Sequence, residues 1–516
     1  MLVAIVAGAL TLAAPAWASD HAPSKDHATH AQATTAPIPK QRSVVTHGSV
    51  LIEGKTIRYT ATAGTLLLYD KHQQPVATVF YVAYDKDGVR DPAKRPLTFL
   101  YNGGPGASSD WIQIGGLGPY HIAWTPGAAM APSPYPLVPN HESLLNDSDL
   151  VFIDAVGTGY SHVVGKGKGK MFWGVDQDVR AFAQFIRRYL NQYNRWNSPK
   201  FLYGESYGTT RSAALAEYLQ DHGIELNGVV LQSSVLNYFD ETPGSDNSYT
   251  FTLPTFAAIA WYHHKLANPP AKLPTLLQQA RTFADGPFAQ ALRQGDKLPQ
   301  ATLDAVAQQM SQLTGLPADY IERAKLRVTP AEFRKELLLP EREHIGRYDG
   351  RYVAGDVNAI ASTPAFDPSN QDISPAVTTA FHWYLQNILK WNSDRLYRDY
   401  ANEPYKKWDW KHKAPNGRTL QLPDVALDLA VALRKNPYLR VLSENGYFDM
   451  ATPFHATEYD LSHMLLGPKL DQHVELAYFY SGHPIYVNPK ALKAMHARLD
   501  AFYASTLSAD AGDATH

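Results

Sequence analysis

Lys200-Phe201-Leu202-Tyr203-Gly204-Glu205-Ser206-Tyr207-Gly208-Thr209-Thr210 decides the reading of this chain. A short apolar run of strand character leads into Gly-x-Ser-x-Gly, the pattern of a strand-to-helix turn too tight for side chains at the two glycine positions. Such a turn lifts the serine hydroxyl clear of the sheet. Upstream, Val179, Phe182, Ile186, Tyr189 and Tyr193 recur at three- and four-residue steps, the period of an amphipathic helix, and Pro199 stops it. Downstream, Thr210 to Leu219 reads as the next helix, closed by Gly223, where a left-handed cap is easiest for glycine. Helix, strand, serine turn, helix is the order such a nucleophile requires.

Working outward, Pro96 to Tyr101, Asp149 to Asp154, Gly228 to Leu231 and Leu439 to Ser443 are further strand-like runs, several of them separated by helical stretches. They predict an α/β fold with a central, mostly parallel mixed sheet flanked by helices. Between Ser49 and Gly88, shorter runs (Leu51-Ile52, Thr56 to Thr60, Gly64 to Tyr69, Val76 to Ala83) alternate with turns and predict antiparallel hairpins. Residues 238–423 carry helical periodicities broken by Pro269-Pro270, Pro299, Pro317, Pro330 and Pro340, and read as a helical cap inserted into the catalytic domain; an independent domain is the alternative. One helix there is expected to start at Ser374 with Pro375 in its first turn. The catalytic domain then comprises residues 44–237 and 424–508, with 509–516 as a disordered tail.

The chain has 516 residues, 45% hydrophobic and 19% charged, with a formal net charge of −2. That is the composition of an ordinary globular protein, with no electrostatic basis for binding nucleic acid. It contains no cysteine, which excludes disulfides, a thiol nucleophile and thiolate-bound metal. Residues 1–18, uncharged and ending Ala16-Trp17-Ala18, read as a secretory signal, with a membrane anchor as the alternative; after cleavage no membrane partner is expected. Residues 19–43 read as a flexible linker. These features predict a periplasmic or secreted protein. They leave the oligomeric state open.

A serine hydroxyl needs an imidazole to take its proton and an acid to orient the imidazole. Downstream of the serine, Asn445-Gly446-Tyr447-Phe448-Asp449 leaves one strand candidate and Ser481-Gly482-His483 leaves another, Val474 to Tyr480. Asp449 and His483 are the natural partners by position; Asp460, His455, His463 and His473 lie in the same region and compete. The Asn102-Gly103-Gly104-Pro105-Gly106 stretch, also following a strand, is suited to supply amides for an oxyanion. Two weaker signals lead elsewhere. Gly157-Thr158-Gly159 with the nearby lysines fits no nucleotide motif, and His263-His264 lacks partners at metal spacing.

Five blocks, taken in order, carry a resemblance: Asn102 to Ser109, Phe152 to Ser161, Gly204 to Gly208, Gly446 to Asp449 and Gly482-His483. Together they resemble the serine carboxypeptidases, a family with the α/β-hydrolase fold, over about Leu97 to Tyr503. The resemblance implies Ser206, Asp449 and His483 as triad, the amides of Gly104 and Tyr207 as oxyanion hole, and Asn102 and Glu205 as binders of a substrate's free C-terminal carboxylate. It implies no cofactor and no metal, and peptides with a free C-terminus as substrates. The family's third carboxylate binder is a glutamate fourteen positions after the asparagine; here that position is Gly116. Pro484 and Tyr447 also depart from the pattern. The expectation is therefore an exported serine carboxypeptidase in which either Glu205 is protonated or another donor comes from the cap. An esterase, amidase or acyltransferase on the same scaffold is the alternative, and a non-catalytic binding protein is a more remote one.

Overall fold

The computed structural model describes residues 36–125, 130–240, 242 and 244–513, with side chains described to residue 508. The expected signal segment and most of the expected linker lie outside the described residues. Residues 36–516 form one compact unit.

Ten strands make the main sheet. In chain order they are β1 (Ser43–Ile52), β2 (Lys55–Tyr69), β3 (Pro75–Lys86), β4 (Leu97–Tyr101), β5 (Asp149–Ile153), β6 (His162–Val163), β7 (Lys200–Glu205), β8 (Gly228–Gln232), β9 (Arg440–Gly446) and β10 (Val474–Phe479). Their spatial order is β1-β2-β3-β5-β4-β7-β8-β9-β10, with β6 beside β3. The pairings from β5 to β10 are parallel; β1, β2, β3 and β6 join antiparallel. This is the α/β-hydrolase fold.

Neighbouring residues along a strand face opposite sides of the sheet, and here both sides are apolar. Phe99, Leu202, Val229 and Val441 enter one core with helices α1 (Val175–Gln192), α2 (Tyr207–Asp221) and, from late in the chain, Ala426–Lys435. Leu100, Tyr203, Val230 and Leu442 enter the other, against Leu492, Met495, Leu499 and Phe502 of the last helix, Pro489–Asp513, which runs past residue 508. Every central strand is thus buried twice over.

The hairpins are longer than the sequence suggests. Gly64 reads as a break between two runs, yet β2 continues through it because Tyr81, its cross-strand partner on β3, lays its ring over the glycine; a Cβ there would meet the Tyr81 hydroxyl at 2.6 Å. Gly48 is covered by Tyr59 in the same way. An aromatic ring replaces the side chain that the glycine lacks.

Between β8 and β9 the chain builds α3 (Asn247–Tyr262), α4 (Leu273–Phe283), α5 (Gln300–Thr314), α6 (Pro330–Glu336) and α7 (Pro368–Asn387). Helices α3 to α6 share a core of their own, centred on Phe256, Leu277, Met310 and Phe333, into which Phe448, Met450 and Phe454 also pack. The α7 helix starts earlier than expected. Asp367 caps it by accepting from the Ser369 N–H, with Pro368 at the first position, and Pro375 falls inside the helix. Both prolines are preceded by a good capping residue, and it is the upstream Asp-Pro pair that starts the helix.

Candidate active site

Strand β7 ends at Glu205 and α2 begins at Tyr207, so Ser206 alone makes the turn, at φ 61° and ψ −129°. Holding a side chain in so sparsely populated a backbone region costs on the order of 1–3 kcal/mol, and its surroundings enforce it. A Cβ on Gly204 would lie 2.2 Å from the Gly208 carbonyl oxygen, and one on Gly208 would lie 2.8 Å from the Tyr101 carbonyl oxygen. Only glycine fits at either place. The Ser206 N–H donates to the Gln232 carbonyl at 3.0 Å, which ties the turn to the end of β8. Ser206 itself is half-buried.

Asp449 and His483 come together. The His483 Nδ1 lies 2.7 Å from Asp449 Oδ2, with both residues almost wholly buried. Thr452 fixes the carboxylate from the other side: its hydroxyl donates to Oδ2 at 2.6 Å, and its N–H and that of Ala451 donate to Oδ1 at 3.0 and 2.7 Å. A carboxylate so held accepts the Nδ1 proton, leaving Nε2 as the basic nitrogen of the ring. Burial pulls the imidazole down in pKa, but the Asp449 charge and hydrogen bond outweigh it and raise it above its ordinary value. The His483 carbonyl accepts from the Ser233 hydroxyl at 2.7 Å and Gln232 Nε2 at 3.4 Å. One strand end, Gln232-Ser233, therefore holds the serine turn and the histidine loop alike.

The competing residues are engaged elsewhere. His455 sits between Glu458 and Asp285, and His463 bonds to the Tyr459 carbonyl and stacks on its ring. Asp460 is pushed up to about 8 by burial and by the Asp240 and Asp424 charges. Its neighbours make it a poor acceptor for an imidazolium.

The glycine block meets the elbow directly. A Cβ on Gly103 would fall 2.4 Å from the Tyr207 nitrogen, and Gly104 takes φ +99°, a conformation that suits glycine. Tyr207 is the first residue of α2, where a helix leaves its N–H groups without partners inside the helix. The carbonyl of Asn102 is gripped by Arg211 Nη1 at 2.8 Å, and the Asn102 Oδ1 accepts from the Ile112 N–H at 3.0 Å.

Glu205 is 2% exposed, and burial raises its carboxyl to about 7 against the lowering effects of His483, Tyr486 and Asn102. Its Oε2 accepts from Gln232 Nε2 at 3.0 Å; Gln232 Oε1 accepts from the Tyr203 hydroxyl, which also reaches Glu444 at 2.5 Å. Asn102 and Tyr486 face the same carboxyl. Gly116 offers no side chain here. Tyr486, three residues beyond His483, is a polar side chain at this carboxyl, beside Asn102 and Gln232.

Several residues around these loops carry little sequence signal. Arg211 is buried on α2, donates to Asp178 Oδ2 at 2.6 Å and lies under the rings of Phe182 and Tyr101. Its one mark in the sequence is a cation on the apolar face of a short helix. Arg347 to Gly350, from the inserted region, thread between the acid and histidine loops: the Tyr348 carbonyl accepts from the His483 N–H at 2.6 Å, the Arg347 carbonyl from the Met450 N–H, and Gly350 donates to the Phe448 carbonyl. The Tyr348 ring covers the imidazole at 5.1 Å and meets Trp111 at 5.9 Å. A second strap, Asp399 to Ala401, pairs with the glycine block through Ser108 N–H to Asp399 and Ala401 N–H to Gly106. Of the aromatics near the motif blocks, Tyr120 and Tyr160 pack into the core instead.

Among the described residues, Glu53, His496 and Asp500 could together hold a metal ion; they belong to the β1–β2 turn and the last helix. Among the same residues, no helix is long and apolar enough to cross a membrane.

Comparison with known proteins gives consistent results. The chain is 26% identical over 185 residues to serine carboxypeptidase-like 45 of Arabidopsis thaliana, an alignment covering 34% of this chain and 36% of that protein. The chain thus spans about a third of the length of that curated relative. Among solved structures it superposes on a prohormone-processing carboxypeptidase from Saccharomyces cerevisiae with a TM-score of 0.50 and 13% identity, over 87% of this chain and 92% of that one. A peroxisomal alpha-beta-hydrolase from the same yeast matches at a TM-score of 0.36 and 10% identity, over 90% and 89%. The serine carboxypeptidase family model matches residues 67–471, a span that holds the glycine block, the serine turn and Asp449 and stops short of His483. With more than half its length matched, this chain belongs to the serine carboxypeptidase family.

Proposed function

We propose that this protein is an exported serine carboxypeptidase that removes the last residue of a peptide through an acyl-enzyme on Ser206. The observation that carries the reading is the buried Asp449–His483 hydrogen bond, anchored through Gln232 and Ser233 to the same strand end as a serine in the strained turn of a nucleophile elbow. In this scheme His483 Nε2 takes the Ser206 proton as the hydroxyl oxygen attacks the scissile carbonyl, Asp449 stabilises the imidazolium, and the Gly104 and Tyr207 amides receive the oxyanion. His483 returns the proton to the leaving amino acid. Water then enters and gives its proton to His483 as its oxygen bonds to the acyl carbonyl; His483 hands that proton to Ser206 Oγ as the ester bond breaks and the shortened peptide leaves. Asn102 and Glu205 bind the terminal carboxylate, Glu205 as the carboxylic acid that burial favours up to about pH 7. Residues 238–423 act as a cap over this cleft, and residues 1–18 as the export signal, which places the enzyme in the periplasm or outside the cell.

The test is mass spectrometry of unblocked peptides and their C-terminal amides after incubation, with Ser206→Ala as control. The expected result is stepwise loss of single C-terminal residues from the free acids, slower or no loss from the amides, and none with the variant. Gly116 supports a second reading, an esterase, amidase or acyltransferase; equal turnover of acids and amides, with rapid ester hydrolysis, would favour it.

A further inference from the structure

Position 116 is filled from outside its own segment. Residues Gln113–Leu117 form a wide helical turn whose Gly115 and Gly116 lie flat against Tyr486. A Cβ on Gly116 would come within 2.3 Å of the Tyr486 Cβ, and one on Gly115 within 2.3 Å of the ring carbon Cε2. The turn is pinned from behind by Asn140, whose amide donates to the Gly116 and Gly118 carbonyls at 2.6 and 2.8 Å, and by the Trp124 indole on the Gly115 carbonyl. It cannot retreat to admit a longer side chain beside that ring.

Tyr486 stands three residues beyond His483, in the short helical turn Ile485–Val487, and is 0% exposed. Its hydroxyl is buried with no well-formed hydrogen bond, and the polar groups it faces are Glu205 and Asn102, the two residues proposed to bind the substrate carboxylate. A buried phenol with only these imperfect contacts to Glu205 and Asn102 has room for a better acceptor in the working state. The carboxylate of a bound peptide is an acceptor of the right chemistry at the right place.

We propose that Tyr486 is the third binder of the substrate's C-terminal carboxylate, its hydroxyl donating where a side chain at position 116 does not exist. This rests on the carboxypeptidase reading and adds to it a donor from the catalytic histidine's own loop. Glu205 can donate only while protonated. The phenol of Tyr486, raised well above its ordinary value chiefly by burial and then by the Glu205 charge, keeps its proton throughout the working range. The other ionisable groups facing this pair are His483, Asp449 and Tyr348 on the Glu205 side, Asp110 on the tyrosine side, and Tyr203 beside both. Recognition of the terminal carboxylate therefore has one pH-dependent donor and one that is independent of pH.

The experiment compares kcat/KM for a blocked dipeptide with that for its C-terminal amide in wild type and Tyr486→Phe, which keeps the ring and removes the hydroxyl. The expected result is a fall of about ten- to a hundredfold in the acid-to-amide ratio, carried by KM and not kcat. An unchanged ratio in Tyr486→Phe overturns the proposal. A wild type that does not distinguish acid from amide overturns the carboxypeptidase reading itself, so the two failures are separable. A second variant, Tyr486→Gly with Gly116→Glu, removes the Tyr486 Cβ that blocks position 116 and moves the binder to the other side of the contact. It should recover the acid preference at low pH and lose it as pH rises, because two carboxyl groups must then share a proton. Recovery without that pH dependence, or no recovery in a variant that still reacts with a fluorophosphonate, counts against the assignment.

Discussion

Asp449 accepts from two backbone N–H groups, the Thr452 hydroxyl and His483, so its geometry does not depend on its charge alone. Asp449→Asn should keep the fold but present an amide N–H or a neutral oxygen to Nδ1, allowing the wrong tautomer; kcat is expected to fall by about 10⁴-fold with KM little changed, measured on an ester substrate. In the proposed mechanism the pH dependence follows from two groups of opposite demand. His483 must be neutral to act as base, and because its folded-state pKa is raised, kcat climbs at higher pH than for an ordinary imidazole. Glu205 must be protonated to donate, and burial raises it to about 7, so KM for free-acid peptides should rise above that pH. A bell-shaped kcat/KM results. In Glu205→Gln the alkaline rise in KM should vanish while the acid limb stays; an unchanged alkaline limb would remove Glu205 from the role.

The central elements were legible where chemistry restricts them. The elbow could be read because Gly204 and Gly208 have no room for a side chain, and the pairing of Asp449 with His483 because both stand in turns after late strands. What could not be read depends on contacts distant in sequence: Tyr81 covering Gly64, Tyr486 filling the space at Gly116, Arg211 beneath the glycine block. A glycine looks the same whether it marks a break or receives a ring from another strand. Arg211 shows the scale of such hidden dependence. Its guanidinium joins α2 to Asp178 on α1 and to the Asn102 carbonyl, at 1% exposure. Arg211→Met should cost about 3–5 kcal/mol in a urea titration, since it leaves the buried Asp178 without its cation, and Asp178→Asn combined with it should restore part of that loss.

Across the molecule, His412 clamps α1 to the Ala426–Lys435 helix, bonding Asp176 at 2.8 Å and Asp428 at 3.0 Å. Burial disfavours its charged form, but the two carboxylates prevail and raise it to about 9. Because the folded value lies above the ordinary one near 6.5, its stabilisation is complete below about pH 6.5 and is lost as pH climbs through 9. The urea midpoint should therefore drop across that window, and His412→Gln should flatten the drop. The inserted residues matter at the same scale. Arg347 to Gly350 and Asp399 to Ala401 hydrogen-bond to the loops of both the proposed base and the proposed oxyanion hole. Replacing residues 238–423 by a short linker should abolish fluorophosphonate labelling of Ser206 instead of merely widening access. The proposed cap, hydrogen-bonded to these loops on two sides, would not swing away like a hinged lid. Under the proposed function a peptide would then enter by threading: its tail would have to arrive already loose for several residues, and a terminus folded against its own protein would be spared.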